Sequence, residues 1–165
     1  MKLLIAAALA LTAANSVVAQ ELGRGSNTDP LSFGFDQVII DLEKVEWGPL
    51  EVEGIPPGAE VAALRGSFDG GPVEAIMRLP ANFTLPNHSH TSAEVYIWMT
   101  GEFTYIADDG RAVDLSGTTF ISLPGSSPHG LICKDTPCMF YVRYARSFDI
   151  QIHPMPKNLK KIKLK

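Results

Sequence analysis

Only two cysteines occur in the 165 residues, Cys133 and Cys138. Neither follows the apolar N-terminal run, which argues against a lipid-anchored leader. Beyond LLIAAALALTAA near the N-terminus there is no long apolar stretch, which argues against a membrane-spanning chain and for a soluble one. No segment carries a sustained 3.6-residue apolar period with caps, so a helical architecture is disfavoured. Basic residues are scarce in the body: Gln20 to Pro156 holds 8 against 18 acidic ones, net −10. That excess of negative charge argues against nucleic acid as a partner. No internal repeat of useful length is found. Histidine is also rare, with four in the chain, and three of them fall in two short segments.

The N-terminus reads as a targeting segment. Lys2 precedes the apolar run, NSVVA follows, and Val17 and Ala19 stand at small-residue cleavage positions. The expectation is a signal peptide over residues 1–19, cleaved before Gln20, and a protein released to the periplasm or secreted. Residues 20–29, QELGRGSNTD, read as a loose arm. Residues 157–165, KNLKKIKLK, form a basic tail with five lysines and no acid. It is expected to fray, the alternatives being a foot on an anionic membrane or a contact to the acidic body. No stable membrane anchor is expected.

Between these ends the pattern is short runs rich in Val, Ile, Phe and Tyr: QVIIDL, LEVE, AEVAALRG, PVEAIMRL, AEVYIWMT, EFTYIAD, RAVDL, TTFISL, HGLICK, CMFYVRY and FDIQIH. Gly, Pro and Asp separate them, and Asp69-Gly70-Gly71 and Asp108-Asp109-Gly110 are hairpin signals. The class is all-β, an antiparallel sandwich or barrel of one domain.

The chemistry concentrates in LPANFTLPNHSHTSAEVYIWMTG, Leu79 to Gly101, and in LPGSSPHGL, Leu123 to Leu131. Residues two apart on a strand share a face, so His88 and His90 can aim both rings inward. Glu94 opens the next apolar run and is expected to return beside them across a tight hairpin. His129 must come from another strand. Three imidazoles and a carboxylate suit one divalent transition metal ion, with positions left for water or substrate. Fe, Mn, Zn, Ni and Cu all remain open.

His88-x-His90-x3-Glu94-x6-Gly101 resembles the first motif of the cupins, and Pro124-x4-His129 resembles the core of their second. The wider run from Pro56 to Glu94 is similar to small single-domain cupins and to the cupin part of bacterial anti-sigma factors. The resemblance implies a cupin double-stranded β-helix, a jelly-roll-like antiparallel barrel over residues 30–156, with His88, His90, Glu94 and His129 as metal ligands. Asn82 stands where the first motif has Gly, Ser126 where the second has Gly, and Cys133 where it closes on Asn. Gly117 is one residue too far from Pro124.

If Glu94 points inward, so do Tyr96 and Trp98, candidates for lining a pocket or simply for filling the barrel. Phe120, Met139 and Tyr141 are candidates on the same terms. Val95, Ile97 and Met99 then give an equally apolar outer face, which predicts cover from this chain or from a second copy in a homodimer. Arg143 and Arg146 could serve a carboxylate ligand, whereas Arg78 reads as a surface ion pair. His153 reads as a surface residue. Cys133 and Cys138 flank a four-residue turn, and export makes a disulfide the expected state, with Cys133 as a metal ligand the rival. Two functions remain: a metal-dependent enzyme acting on a small oxygenated molecule, of dioxygenase, decarboxylase or isomerase type, or a non-catalytic metal- or small-ligand-binding or sensing module.

Overall fold

The structure, a computed structural model, describes residues 31–32 and 38–164. The leader 1–19 and the arm 20–29 lie outside the described residues. The strands are β1 (Leu31–Ser32), β2 (Val38–Ile39), β3 (Gly48–Pro49), β4 (Glu60–Ser67), β5 (Gly70–Leu79), β6 (Thr84–Ser89) and β7 (Glu94–Thr100). They continue as β8 (Phe103–Ala107), β9 (Arg111–Leu115), β10 (Thr119–Leu123), β11 (His129–Cys133), β12 (Cys138–Tyr144), β13 (Gln151–Ile152) and β14 (Lys160–Ile162). There is no helix among the described residues, hence none long and apolar enough to cross a membrane. LEVE, expected as a strand, is irregular; two residues before it, Gly48–Pro49 make only a short pairing with β4.

Two six-stranded sheets form the body, in the orders β10-β7-β12-β5-β4-β3 and β13-β6-β11-β8-β9-β14. After the β4–β5 hairpin the chain crosses repeatedly between them, as in a jelly roll, with the β8–β9 hairpin staying within the second sheet. Strand alternation builds the core. Val73, Ala75, Met77 and Leu79 of β5, Phe140, Val142 and Tyr144 of β12, and Tyr96 and Trp98 of β7 all face inward. Trp98 stacks on Phe103 at 3.6 Å and on Phe140 at 4.7 Å. Phe103 and Phe140 are fully buried, and each such ring contributes about 1.5–3 kcal/mol.

The alternation overturns part of the expected geometry. β6 and β7 are not a hairpin: they lie in different sheets, and Thr91–Ala93 carries the chain across between them. Cys133 ends β11 in one sheet and Cys138 opens β12 in the other. The pair, at disulfide distance with Cα atoms 6.0 Å apart, therefore ties the two layers rather than a hairpin.

The outer face of the first sheet is partly covered by its own chain. Val45, Ala62 and Ile76 are buried there, with Trp47, Met99 and Tyr141 packed on them. Ile97 and Phe120, register partners across β7 and β10, stay exposed at the sheet edge, Phe120 by 68%. The tail does not simply fray. β14 pairs in parallel with β9, and Lys161 Nζ reaches Asp114 at 2.5 Å, the expected alternative of a contact to the acidic body. His153 is half-buried rather than a bare surface residue, and its Nε2 is 2.8 Å from Ser89 Oγ.

Candidate metal centre

The chain path brings His88, His90 and Glu94 together with the distant His129 between the sheets. His88 lies near the end of β6, His90 just beyond it, Glu94 at the start of β7 and His129 at the start of β11. β11 runs beside β6 with His129 directly opposite His88. The ring centroids of His88 and His129 are 4.3 Å apart, and those of His88 and His90 are 5.1 Å apart. All four side chains are buried, none more than 2% exposed.

Local backbone features hold these positions. Asn82 has φ 60°, so it takes the left-handed turn that its place in the first motif demands. Ser126 also sits at φ 60° and donates its N–H to His90 O at 2.7 Å. Gly125 packs against the crossover, where a Cβ would meet Thr91 O at 2.3 Å. Ala145 N donates to Ala93 O, Arg146 N to Ser92 Oγ, and the Asp149 carboxylate caps Thr91 N at 2.8 Å. The segment after β12 is thus laced to the histidine crossover.

The hydrogen bonds fix the tautomers. His88 Nδ1 donates to Pro86 O at 2.8 Å, His129 Nδ1 to Ser127 O at 3.0 Å, and His90 Nδ1 to Asp149 O. A carbonyl oxygen only accepts, so each Nδ1 carries the proton and each Nε2 keeps its lone pair. Burial pushes the His88 ring down to about 2 and His129 down to about 4, and lowers His90 as well. All three are therefore neutral near pH 7. Backbone-anchored, neutral imidazoles are what a metal requires of its histidines.

Glu94 faces them. Its Oε2 is 3.4 Å from His90 Nε2 and its Oε1 is 3.6 Å from His129 Nε2. Donors about 2.1 Å from one ion stand roughly 3.0–3.4 Å from each other, so these separations are close to those of ligands. Burial raises the Glu94 carboxyl to about 7, against the pull of the Tyr96 hydroxyl, which donates to Oε2 at 2.6 Å. The same hydroxyl lies 3.1 Å from His129 Nε2 and has one proton for two acceptors. His90 Nε2 is buried with no hydrogen-bond partner at all. Among the described residues no group of three or more His, Cys, Asp or Glu side chains stands in metal-holding geometry, and Tyr96 is wedged between two of the four donors. The donor chemistry nevertheless suits a cation: His90 Nε2 and His129 Nε2 face the Glu94 carboxylate, and protein groups leave His90 Nε2 unsatisfied.

A cavity of about 10 Å³, the size of one water, adjoins the cluster, lined by His88, His90, Tyr96, Phe140, Tyr144 and Phe148 with apolar neighbours. Of the expected lining residues, Tyr96 is there, whereas Trp98 fills the barrel. Phe120, Met139 and Tyr141 are not there, because inward parity on β12 belongs to Phe140, Val142 and Tyr144, and Phe120 points out of β10. Arg78 pairs with Glu60 at 2.5 Å and lies over Trp47, and Arg143 faces Glu74 on the outer surface. No Lys or Arg, Arg146 included, lines this cavity. Tyr144, Phe148 and Asp149 were missed by sequence reasoning. Only the β12 parity could have found Tyr144, and nothing local marks the other two.

Solved structures share this architecture. The polyketide cyclase RemF from Streptomyces resistomycificus is 18% identical over 73% of this chain and 87% of that one, with a TM-score of 0.58. An RmlC-like cupin from Shewanella frigidimarina is 16% identical over 67% of this chain and 91% of its own, TM-score 0.53. The DMSP lyase DddQ from Ruegeria pomeroyi is 18% identical over 65% of this chain and 60% of its own, TM-score 0.52. The fold is therefore that of the cupins, which these likenesses carry and beyond which they do not go. Within that class, the chain belongs to the family described as a domain of unknown function (DUF4437), whose profile matches residues 30–151. No curated protein matches the chain.

Proposed function

We propose that His88, His90, Glu94 and His129 hold one divalent transition metal ion and that the protein is an exported, metal-dependent enzyme acting on a small oxygenated molecule. The observation that carries this reading is the set of three buried histidines, each with Nδ1–H spent on a backbone carbonyl, with His90 Nε2 facing Glu94 unsatisfied. A bound ion supplies Lewis-acid polarisation of an oxygen. The chain supplies the rest. The three carbonyls keep the rings turned inward. Glu94 brings the negative charge, and Tyr96, between Glu94 and His129, is the hydroxyl placed to donate a hydrogen bond or a proton to a ligand oxygen. Burial raises Tyr96 and Tyr144 well above the usual tyrosine range, so both keep their protons until a neighbour changes charge. The fold shared with a polyketide cyclase and a DMSP lyase supports an enzyme.

One observation favours a second reading, a non-catalytic metal- or small-ligand-binding module: the cavity beside the cluster is too small for an organic substrate unless a side chain moves. The leader-like 1–19 and the cysteine pair at disulfide distance support export. The exposed Ile97–Phe120 edge supports a homodimer. Metal content of the purified protein, by mass spectrometry, tests the main reading: about one equivalent in the wild type and a large loss in the H88A/H90A double variant are expected. Equal content in both would sink the metal site.

A further inference from the structure

A second cavity, of about 170 Å³, opens beside the centre, lined by Pro49, Leu50, Glu51, Val52, Val61, Phe68, Asp69 and Phe148. It is smaller than the roughly 300–1,000 Å³ pockets that hold drug-sized molecules, so its occupant is small. Leu50 and Phe148 line both this cleft and the buried cavity at His90 and Tyr96. Phe148 is the partition: its ring lies 5.3 Å from His90, 5.1 Å from Tyr144 and 5.2 Å from Phe68. It sits in the irregular stretch after β12, outside any strand ladder.

The walls of the cleft are coupled. The Ser67–Gly71 turn is tied to the Phe148 segment by Gly71 N donating to Ser147 Oγ at 3.0 Å and by the edge contact of Phe68 with Phe148. The Asp69 carboxylate lines it, and no Lys or Arg does. Apart from Glu51, the rest is apolar or aromatic. The Asp69 carboxylate beside the Phe68 and Phe148 rings favours a cation, through Coulomb attraction and through the ring quadrupole, and it repels an anion. On the far side of Phe148 waits His90 Nε2, buried and without a partner.

We infer that the cleft is the ligand vestibule of the centre, that Phe148 is the gate between the two, and that the ligand is a small molecule with an apolar body and a neutral or cationic outer end. The inference rests on the metal-site reading for the destination of the ligand's other end. It excludes small dicarboxylates, whose second charge would lie against Asp69.

The test uses three molecules that share a hydroxyethyl end: choline, its neutral isostere 3,3-dimethyl-1-butanol, and the anion 2-hydroxyethanesulfonate, which carries its charge where choline carries the ammonium. Each is titrated into zinc-treated and into metal-free protein and followed by NMR. Choline is expected to bind about fivefold more tightly than the alcohol, the scale of one exposed ion pair with a cation–π contact, and the anion most weakly. Shifts should fall on Val52, Val61 and Phe148. Asp69→Asn should remove the preference for choline and leave the alcohol unaffected. Phe148→Ala should extend the shifts to His90 and Tyr96. Tighter binding of the anion, shifts elsewhere, or an unchanged preference in Asp69→Asn would overturn the vestibule. The zinc arm separates the two readings. Zinc uptake without a cation preference ends the vestibule alone, and an Asp69-dependent preference without zinc uptake ends the metal site alone.

Discussion

Replacing Glu94 by Gln is expected to make the metal-free protein more stable at alkaline pH. The carboxyl is buried and is raised from 4.5 to about 7. Between those values the folded state holds a proton that the unfolded state has released, so stability is full below 4.5 and is lost as pH rises to 7. At 1.36 kcal/mol per pKa unit, keeping the charged form in the folded protein at pH 8 costs about 3 kcal/mol. Glutamine keeps the shape without the charge. Its carbonyl accepts the Tyr96 hydroxyl, and its NH2 takes the place of Oε1, 3.6 Å from the His129 Nε2 lone pair. For a chain of this length about 3 kcal/mol corresponds to roughly 6–12 °C in Tm. The assay is thermal and urea denaturation of wild type and E94Q in a chelator at pH 5, 7 and 8. The gap should be largest at pH 8 and shrink toward zero at pH 5. Zinc at 1,000 times its Kd should reverse the order, because a ligand that binds only the folded state then adds about 4.1 kcal/mol, more than the deficit of about 3 kcal/mol, and E94Q lacks the carboxylate. Equal stability at pH 8, or equal stabilisation of both proteins by zinc, would refute the reasoning.

Three further outcomes follow from the fold. Gly101→Ala should lower Tm by several degrees, since φ is +85° and a Cβ would meet Pro137 O at 2.5 Å; an unchanged Tm would contradict that close approach. Reducing the cysteine pair should cost about 2 kcal/mol in urea denaturation, because the bridged loop is short, and should leave metal content unchanged; a gain of metal or of affinity on reduction would make Cys133 a ligand after all. Light scattering at micromolar concentration should give twice the chain mass, and Phe120→Asp should halve it by placing a charge on the exposed Ile97–Phe120 edge; a monomeric wild type would end the dimer reading.

The sequence by itself determined the all-β class, because period-two alternation broken by Gly, Pro and Asp is a local signal, present in β5 and β12 as plainly as in the folded protein. It also determined which four residues converge, through the His88-x-His90-x3-Glu94 spacing and the isolated His129. Asn82 was legible as a departure from the motif's Gly, and the left-handed backbone there is one that Asn tolerates better than most residues. Tertiary structure decided the rest. Whether Glu94 returns in a hairpin or crosses to the other sheet depends on which strands pair, and pairing is non-local: β7 pairs with β10 and β12, and β6 with β11 and β13. The inward face of β12 was undecidable from a run apolar on both sides, and the fold chose Phe140 and Tyr144 over Met139 and Tyr141. The tautomers of the histidines rest on carbonyls at Pro86, Ser127 and Asp149, and a carbonyl is common to every residue, so no side chain in the sequence announces it. Phe148 is silent for the same reason: its place at the mouth follows from the crossover at Thr91–Ala93, to which the segment around it is bonded.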